Sequence, residues 1–570
     1  MSLLSQYLDR VEFSSYDDFY ANFRLRIPDN FNFTYDVVDW YAEHEPERIA
    51  MLWCDDHGNE LTFSFKELAA RTNQVANLLK AHGVGRGDSV LLVMKSRHEF
   101  WPAILACHKL FAIAIPGTHM LKEHDLIYRF DKGGIKAVMA VASDTLLDEI
   151  DAAQAHSVEK TLQLKITISG PREGWVDYQA EIGAQPTEYA APPREARNAT
   201  ADPMLVYFTS GTSGMPKMVA HNYTYALAHI LTAKYWQCCE EGGMHYTVAD
   251  TGWGKAVWGK LYGQWLSGST VFVYDYDKFD AEKMLEKMTT HKITTFCAPP
   301  TVYRFLIKQD LGRFDLSGIH YAVTAGEPLN PEVYERFQEK TGLRLREAFG
   351  QTETVVSVAN WPWDEPKPGS MGRPSPGYRL ELLNEQGEEA EVGDEGEMSL
   401  RTDNGQLPPG LFIGYLRDDE LTASRWHDGF YHVGDMAWKD EDGYLWFVGR
   451  ADDVIKTSGY RVGPFEVESV VMRHPAVLEC AITGVPDPVR GMVVKATIVL
   501  TKGYEPTDAL KKEIQDFVKN NTAPYKYPRV IEFVETLPKT ISGKIRRNEI
   551  RAKQQEWERR QHEERAHAQN

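Results

Sequence analysis

The sequence predicts an α/β protein: a large N-terminal domain of two α/β sheets plus a small β-barrel, followed by a smaller α+β C-terminal domain. Three observations carry this. Short apolar runs alternate with helical patterns from about Phe31 to Gly170 and again from Ala226 to Thr352, the grammar of βαβ units and parallel sheets. Past Gly377 the pattern changes to alternating strands with turns. A chain of 570 residues is also too long for one core.

In the first segment Ser89–Met94, Ala112–Ile115 and Ala137–Ala142 read as strands, with a helix running through His108. Gly183 to Pro203, rich in Pro and Ala, reads as an exposed connection. The second segment offers Ser269–Tyr274 and Thr294–Ala298 as strands and Ala281–Thr289 as a helix, hence a second sheet. Arg379–Leu382, Gly396–Leu400 and Gly443–Val448 supply the barrel or sheet strands. Gly449-Arg450-Ala451-Asp452-Asp453 is charged and turn-prone and marks a domain boundary, after which a compact α+β pattern runs to about Asn548. The tail from Arg551 to Asn570 is a solvated helix or frayed end.

Lys+Arg 63 against Asp+Glu 82 gives a net charge of −19, which opposes non-specific binding to nucleic acid or anionic membrane, so any phosphate must be met by a local site. Six cysteines show no CxxC spacing and read as reduced packing residues of a cytoplasmic protein. Met1 to Asp9 has no signal-peptide pattern, and the longest apolar stretch, Phe100 to Pro116, is interrupted by Cys107-His108-Lys109, so no membrane span is expected. Asn198-Ala199-Thr200 fits a glycosylation sequon, which carries no meaning without secretion.

The most informative stretch is Thr209-Ser210-Gly211-Thr212-Ser213-Gly214-Met215-Pro216-Lys217, directly after the apolar run Met204–Phe208. Glycines let backbone N–H groups turn inward, hydroxyls add donors and Lys217 adds charge, which together suit a polyphosphate. The common phosphate loop puts Gly before Lys and a hydroxyl after it, whereas here Pro216 precedes and Met218 follows. Other stretches complement it. Gly326-Glu327-Pro328 offers a small-residue surface for a flat ring. Glu347-Ala348-Phe349-Gly350-Gln351-Thr352-Glu353 combines an aromatic face, a hydroxyl and a carboxylate able to stack a base, bond a phosphate and hold Mg²⁺. Asp435 and Arg450 are the acceptor and bidentate donor one would choose for ribose hydroxyls, and Leu537 to Arg547 holds a glycine-lysine turn before a basic segment.

Thr209–Lys217, Asp250-Thr251-Gly252-Trp253, Glu347–Thr354, Gly434-Asp435, Gly449–Asp453, Ser458-Gly459-Tyr460-Arg461 and Pro538–Lys544 occur in the order seen in adenylate-forming enzymes. More narrowly, the chain resembles the medium-chain acyl-CoA synthetases from Phe31 to Asn548, with Pro486–Gly491 and Ala523–Arg529 matching particularly well. The resemblance implies two half-reactions: ATP and a carboxylate give acyl-adenylate and pyrophosphate, then coenzyme A displaces AMP. It implies Lys544 as the catalytic lysine of the first step, with Thr209–Lys217 on the β- and γ-phosphates, Thr352 on the α-phosphate and Glu353 on Mg²⁺. Asp435 and Arg450 would hold the ribose, and adenine would lie between Gly326-Glu327-Pro328 and the Glu347–Gln351 stretch with Phe349.

In relatives the small domain turns about the aspartate two residues after the ribose-binding arginine, here Asp452. The implied organisation is an adenylation domain over 1–449, a hinge at 450–452 and a mobile C-terminal domain over 453–570. Rotation would bring Ser458, Gly459, Tyr460 and Arg461 to the site, with Arg490, Lys519, Tyr527, Pro528 and Arg529 around the nucleotide end of coenzyme A. Acetylation of Lys544 would remove its charge and switch the first step off.

Acetate-activating relatives carry Trp where this chain has Gly350, so longer acids are expected. Trp253 and Trp258 limit the acyl pocket, with Gly326 and Gly350 as its small residues; Trp258, Tyr262 and Trp265 also fit a helix-core stripe. The expected substrate is a short-to-medium-chain or branched acid such as 2-methylbutyrate, with aromatic acids next. Loading of a carrier protein is the rival reaction, a scaffold that has lost catalysis is the non-enzymatic alternative, and a homo-oligomer is left open.

Overall fold

The computed structural model describes residues 3–209, 215–402, 407–457, 460–487, 489–539 and 545–556. The chain forms two compact units, 1–379 with 402–426, and 380–401 with 427–570.

The first unit is built on two sheets. One runs, in spatial order, through Gly414–Tyr415, Lys217–Asn222, Pro203–Thr209, Ile113–Pro116, Ser89–Val93, Ile135–Ala140, Leu164–Thr167 and Val176–Asp177. Its central pairs are parallel, and Ser89–Val93 is buried at every position, as a strand covered by helices on both faces must be. The other sheet places Tyr321–Ala325 parallel to both Thr295–Ala298 and Leu345–Phe349. Its core gathers Tyr246, Phe272, Phe296, Tyr303 and Phe337. The stretch from Phe100 to Pro116 divides into the helix Phe100–Lys109 and the strand Ile113–Pro116, and among the described residues no helix is long and apolar enough to cross a membrane.

Of the antiparallel pairs at the edge of the first sheet, the one between Pro203–Thr209 and Lys217–Asn222 matters most. These strands pair in register Thr209↔Lys217, so the chain reverses between the two strands of a hairpin. The connection before it is largely exposed, yet Asn198 is fully buried. Its Nδ2 donates to the Phe31 carbonyl at 2.8 Å and its Oδ1 accepts from Asn32 at 3.0 Å, so the sequon asparagine is a packing residue.

In the second unit Leu380–Leu383, Glu395–Arg401, Phe430–Lys439 and Leu445–Arg450 pair antiparallel in succession. A further sheet pairs Val477–Asp487 with Gly491–Leu500, and Val530–Phe533 joins the latter in parallel. The helix Asp508–Asn521 starts where the Thr507 side chain accepts from the Leu510 N–H, and it buries Leu510, Ile514 and Val518, one stripe at intervals of four.

Candidate functional site

Residues Ser210, Gly211, Thr212, Ser213 and Gly214 of the hairpin tip lie outside the described residues, as do Ser458, Gly459 and Lys544. The flanks of the tip are firmly placed. The Tyr128 hydroxyl donates to the Pro216 carbonyl at 2.8 Å, and Nζ of Lys217 lies 5.2 Å from the centroid of the Tyr415 ring. Met215 is exposed.

That tyrosine leads to the predicted metal carboxylate. Its hydroxyl donates to Oε1 of Glu353 at 2.9 Å, while the Glu353 carbonyl accepts from the Phe412 N–H at 2.8 Å. Next to it, the Thr352 carbonyl accepts from Nε2 of His221 at 2.7 Å, and the Gln351 N–H is bonded by Oγ1 of Thr354 at 3.0 Å. Lys217, Thr352 and Glu353, read as separate signals in the sequence, are thus joined through two side chains of the neighbouring strands, His221 and Tyr415.

The proposed adenine walls sit on adjacent parallel strands, in register Ala325↔Ala348. Gly326 has φ +106, a conformation that a side chain would strain, and so opens the strand end into an exposed turn. Glu327 accepts from Oγ1 of Thr301 at 2.8 Å, and Pro328 and Phe349 are half-buried. Glu347 is buried, and its Oε1 accepts from the Leu329 N–H at 3.1 Å, which ties the two walls together. Burial pushes its carboxyl up to about 8.

Gly350 is packed as well as open. A Cβ there would lie 2.9 Å from the Val355 carbonyl oxygen, so backbone proximity by itself disfavours a side chain at this position. The aromatic stretch that follows Trp253 is not one helix: Gly254–Gly259 and Tyr262–Leu266 are separated at Lys260-Leu261. Tyr262 and Trp265 are fully buried, with the Trp265 indole donating to the Ala50 carbonyl at 2.8 Å, whereas Trp253 and Trp258 are half-buried. Lys255, which the sequence reading passed over among these aromatics, donates to the Ala325 carbonyl at 3.0 Å, with its Nζ 5.9 Å from the Trp258 ring centroid.

In the second unit Asp435 and Arg450 are directly opposed across the antiparallel ladder, and Nε of Arg450 donates to Asp452 at 3.2 Å. A basic, aromatic group forms between the end of the helix Asp508–Asn521 and the segment after it: Arg529 donates to the Tyr527 hydroxyl at 2.6 Å, and Lys519 lies 5.8 Å from the same ring. Gln515 donates to the Pro528 carbonyl at 3.1 Å. The Arg490 N–H is bonded by Asp487 at 2.8 Å, and this bond together with that from Val489 lowers the Asp487 carboxyl. Tyr460 is exposed and stacks on Tyr525 at 4.1 Å, and Arg461 pairs with Glu385. The loop bearing Lys544 is closed by the bridge Lys539↔Ile545, and beyond it Arg547 donates to both carboxylate oxygens of Glu468 at 2.7 Å.

Comparison with known proteins gives this geometry its setting. The AMP-binding enzyme family matches residues 38–416, and the AMP-binding enzyme C-terminal domain matches residues 466–544. The mitochondrial acyl-coenzyme A synthetase ACSM3 of Mus musculus is 40% identical over 556 residues, covering 96% of this chain and 94% of that protein. The mitochondrial ACSM5 of Homo sapiens is 40% identical, covering 94% and 92%. Among solved structures, the anthranilate CoA ligase AuaEII in complex with anthranoyl-AMP superposes with a TM-score of 0.83 at 29% identity, covering 92% of this chain and 98% of that one. An acyl-CoA synthetase of Brucella canis gives 0.72 at 30%, covering 96% and 100%.

The curated relatives ACSM3 and ACSM5 correct the cytoplasmic expectation, because both are mitochondrial proteins. The expectation rested on six cysteines, which are indeed free, and on the lack of an apolar span, and among the described residues no helix is long and apolar enough to cross a membrane. Neither property separates the cytoplasm from another reducing compartment. With the two family matches in order and a relative of known type aligned along nearly the whole length, the chain belongs to the AMP-binding enzymes and, within them, to the acyl-coenzyme A synthetases, AMP-forming acid–thiol ligases.

Proposed function

We propose that this synthetase activates a short-to-medium-chain or branched carboxylic acid, with the roles divided between an adenylation domain over 1–449, a hinge at 450–452 around Asp452, and a C-terminal domain over 453–570. The observation that carries the reading is the linkage of Lys217, Thr352 and Glu353 through Tyr415 and His221. A carboxylate attacking an α-phosphate brings like charges together, so cations and donors must be fixed where the charge builds up. Lys217 and the hairpin tip would hold the departing phosphates, Thr352 the α-phosphate, and Lys544 would balance charge on the attacking carboxylate and α-phosphate.

Glu353 suits Mg²⁺ by its donor chemistry, since that ion takes one or two carboxylates alongside substrate phosphates, where it supplies charge neutralisation. Asp435 and Arg450, opposed across one ladder, fit a ribose. Arg529, Lys519 and Tyr527 form a surface suited to the phosphates and base of coenzyme A.

For the acyl group, half-buried Trp258 and Trp253 support a short pocket. The likeness to an anthranilate CoA ligase favours aromatic acids as the second substrate class. The test is a pyrophosphate-release panel from acetate to dodecanoate that includes branched acids and benzoate. We expect a maximum at four to eight carbons, roughly the length a pocket closed by aromatic rings admits. Best turnover on acetate would overturn the pocket reading, and ADP in place of AMP would overturn the chemistry.

A further inference from the structure

The strand that returns from the phosphate-loop tip, Lys217–Asn222, carries a histidine with no solvent exposure. The Thr352 carbonyl can only accept, so Nε2 of His221, 2.7 Å away, bears the proton and the ring is in a single tautomer. Its Nδ1 is buried without a hydrogen-bond partner among the described residues. Burial pushes the imidazole down to about 3, which keeps it neutral through the physiological range.

Behind this ring stands a column. Tyr225 packs on His221 with centroids 3.9 Å apart. One helical turn on, His229 meets Tyr225 edge-on at 4.3 Å, and His229 lies parallel to Trp258 at 6.4 Å. His229 is itself anchored by Oγ1 of Thr232 at 2.8 Å. The column therefore runs from the Thr352 peptide to the half-buried tryptophan of the proposed acyl pocket. Because a peptide unit is planar, holding the Thr352 carbonyl also sets the direction of the Glu353 N–H on its opposite edge.

We propose that His221 is a positioning residue for adenylation, fixing the Thr352–Glu353 peptide against the α-phosphate, and that Tyr225 and His229 couple that peptide to the acyl-pocket wall at Trp258. The inference rests on the proposed roles of Thr352 and Trp258. It adds a residue that touches neither substrate but determines how well the phosphate-binding turn is oriented once an acid is in place.

The test compares His221→Phe, which keeps the ring and its stacking but loses the donor, with His221→Gln, whose Nε2 can reach the place of the imidazole Nε2. Removing a donor to a buried carbonyl in the reacting region predicts a kcat for pyrophosphate release about 10- to 100-fold lower in His221→Phe, with KM for the acid within about threefold. His221→Gln should recover most of that loss, although both variants lose some thermal stability. A kcat for His221→Phe within about twofold of the parent, or equal impairment of the two variants, overturns the positioning role while the proposed function stands. A parent enzyme that yields ADP overturns the reading on which the inference rests, and the inference with it.

Discussion

The Tyr415 hydroxyl donates to Oε1 of Glu353 at 2.9 Å, while the face of the same ring lies 5.2 Å from Nζ of Lys217. One side chain therefore orients both the carboxylate proposed for Mg²⁺ and the lysine proposed for the polyphosphate. Tyr415→Phe keeps the ring beneath Lys217 and removes only the hydroxyl. A hydrogen bond to a charged group is worth about 1.5–3 kcal/mol, so KM for ATP–Mg²⁺ should rise about 10- to 100-fold with little change in KM for coenzyme A. Steady-state kinetics at saturating acid checks this, and equal increases in both constants would mean that the bond has only a general packing role.

Glu347 links stability to pH. Burial raises its carboxyl from 4.5 to about 8, so the folded state holds the proton over a range where the unfolded chain has released it. Stability from this group is therefore intact below about 4.5 and declines as pH rises towards about 8. Glu347→Gln keeps an acceptor for the Leu329 N–H and cannot ionise, so its stability relative to the parent should increase by a few kcal/mol, on the order given by linkage, between those limits. Denaturant melts at pH 5, 7 and 9 read the difference; a gap that does not change with pH would place an ionised carboxylate there.

Gly350→Ala separates space from shape. If the position acts only through pocket volume, one methyl group should merely shorten the preferred acid. Because the new Cβ would meet the Val355 carbonyl oxygen at 2.9 Å, we expect instead a destabilised turn, by about 1–3 kcal/mol, and lower adenylation with every acid tested. The chain-length profile and the melting temperature together decide between the two.

Charge changes should sort by half-reaction. Lys544→Ala should reduce pyrophosphate release by about 10²- to 10³-fold and leave thiolysis of supplied acyl-AMP nearly intact. Arg529→Ala, which strips Tyr527 of its 2.6 Å partner, should raise KM for coenzyme A about tenfold without touching adenylation. Equal loss of both half-reactions in either variant would refute this division.

The parallel strands were legible because burial on both faces makes them continuous apolar runs, as at Ser89–Val93. Thr209–Lys217, Glu353 and the Asp435–Arg450 pair stood out in the sequence as unusual chemistry, and the members of that pair prove to be opposed across one ladder. Their supports did not stand out. Tyr415 lies 62 residues from Glu353 and His221 lies 131 residues from Thr352, distances over which no local period can pair side chains. The hairpin was missed for a different reason: Met218-Val219-Ala220 is too short an apolar run to distinguish a returning strand from the start of a helix. Lys255 gave one available signal, a cation set among aromatic residues, and its contact became clear only when Ala325 appeared beside it.

Two loops proposed to do chemistry on ATP share one construction: each begins and ends on directly paired backbone, Thr209 with Lys217 and Lys539 with Ile545. Their ends meet when these backbone pairs form, so the closure entropy of either segment belongs to folding and not to substrate binding. That entropy varies only with the logarithm of length; extending the first loop from seven residues to nine costs about 0.2 kcal/mol. A two-residue insertion should therefore leave the protein as stable as before, and whatever activity it loses measures how closely the donors between the paired ends are matched to a triphosphate.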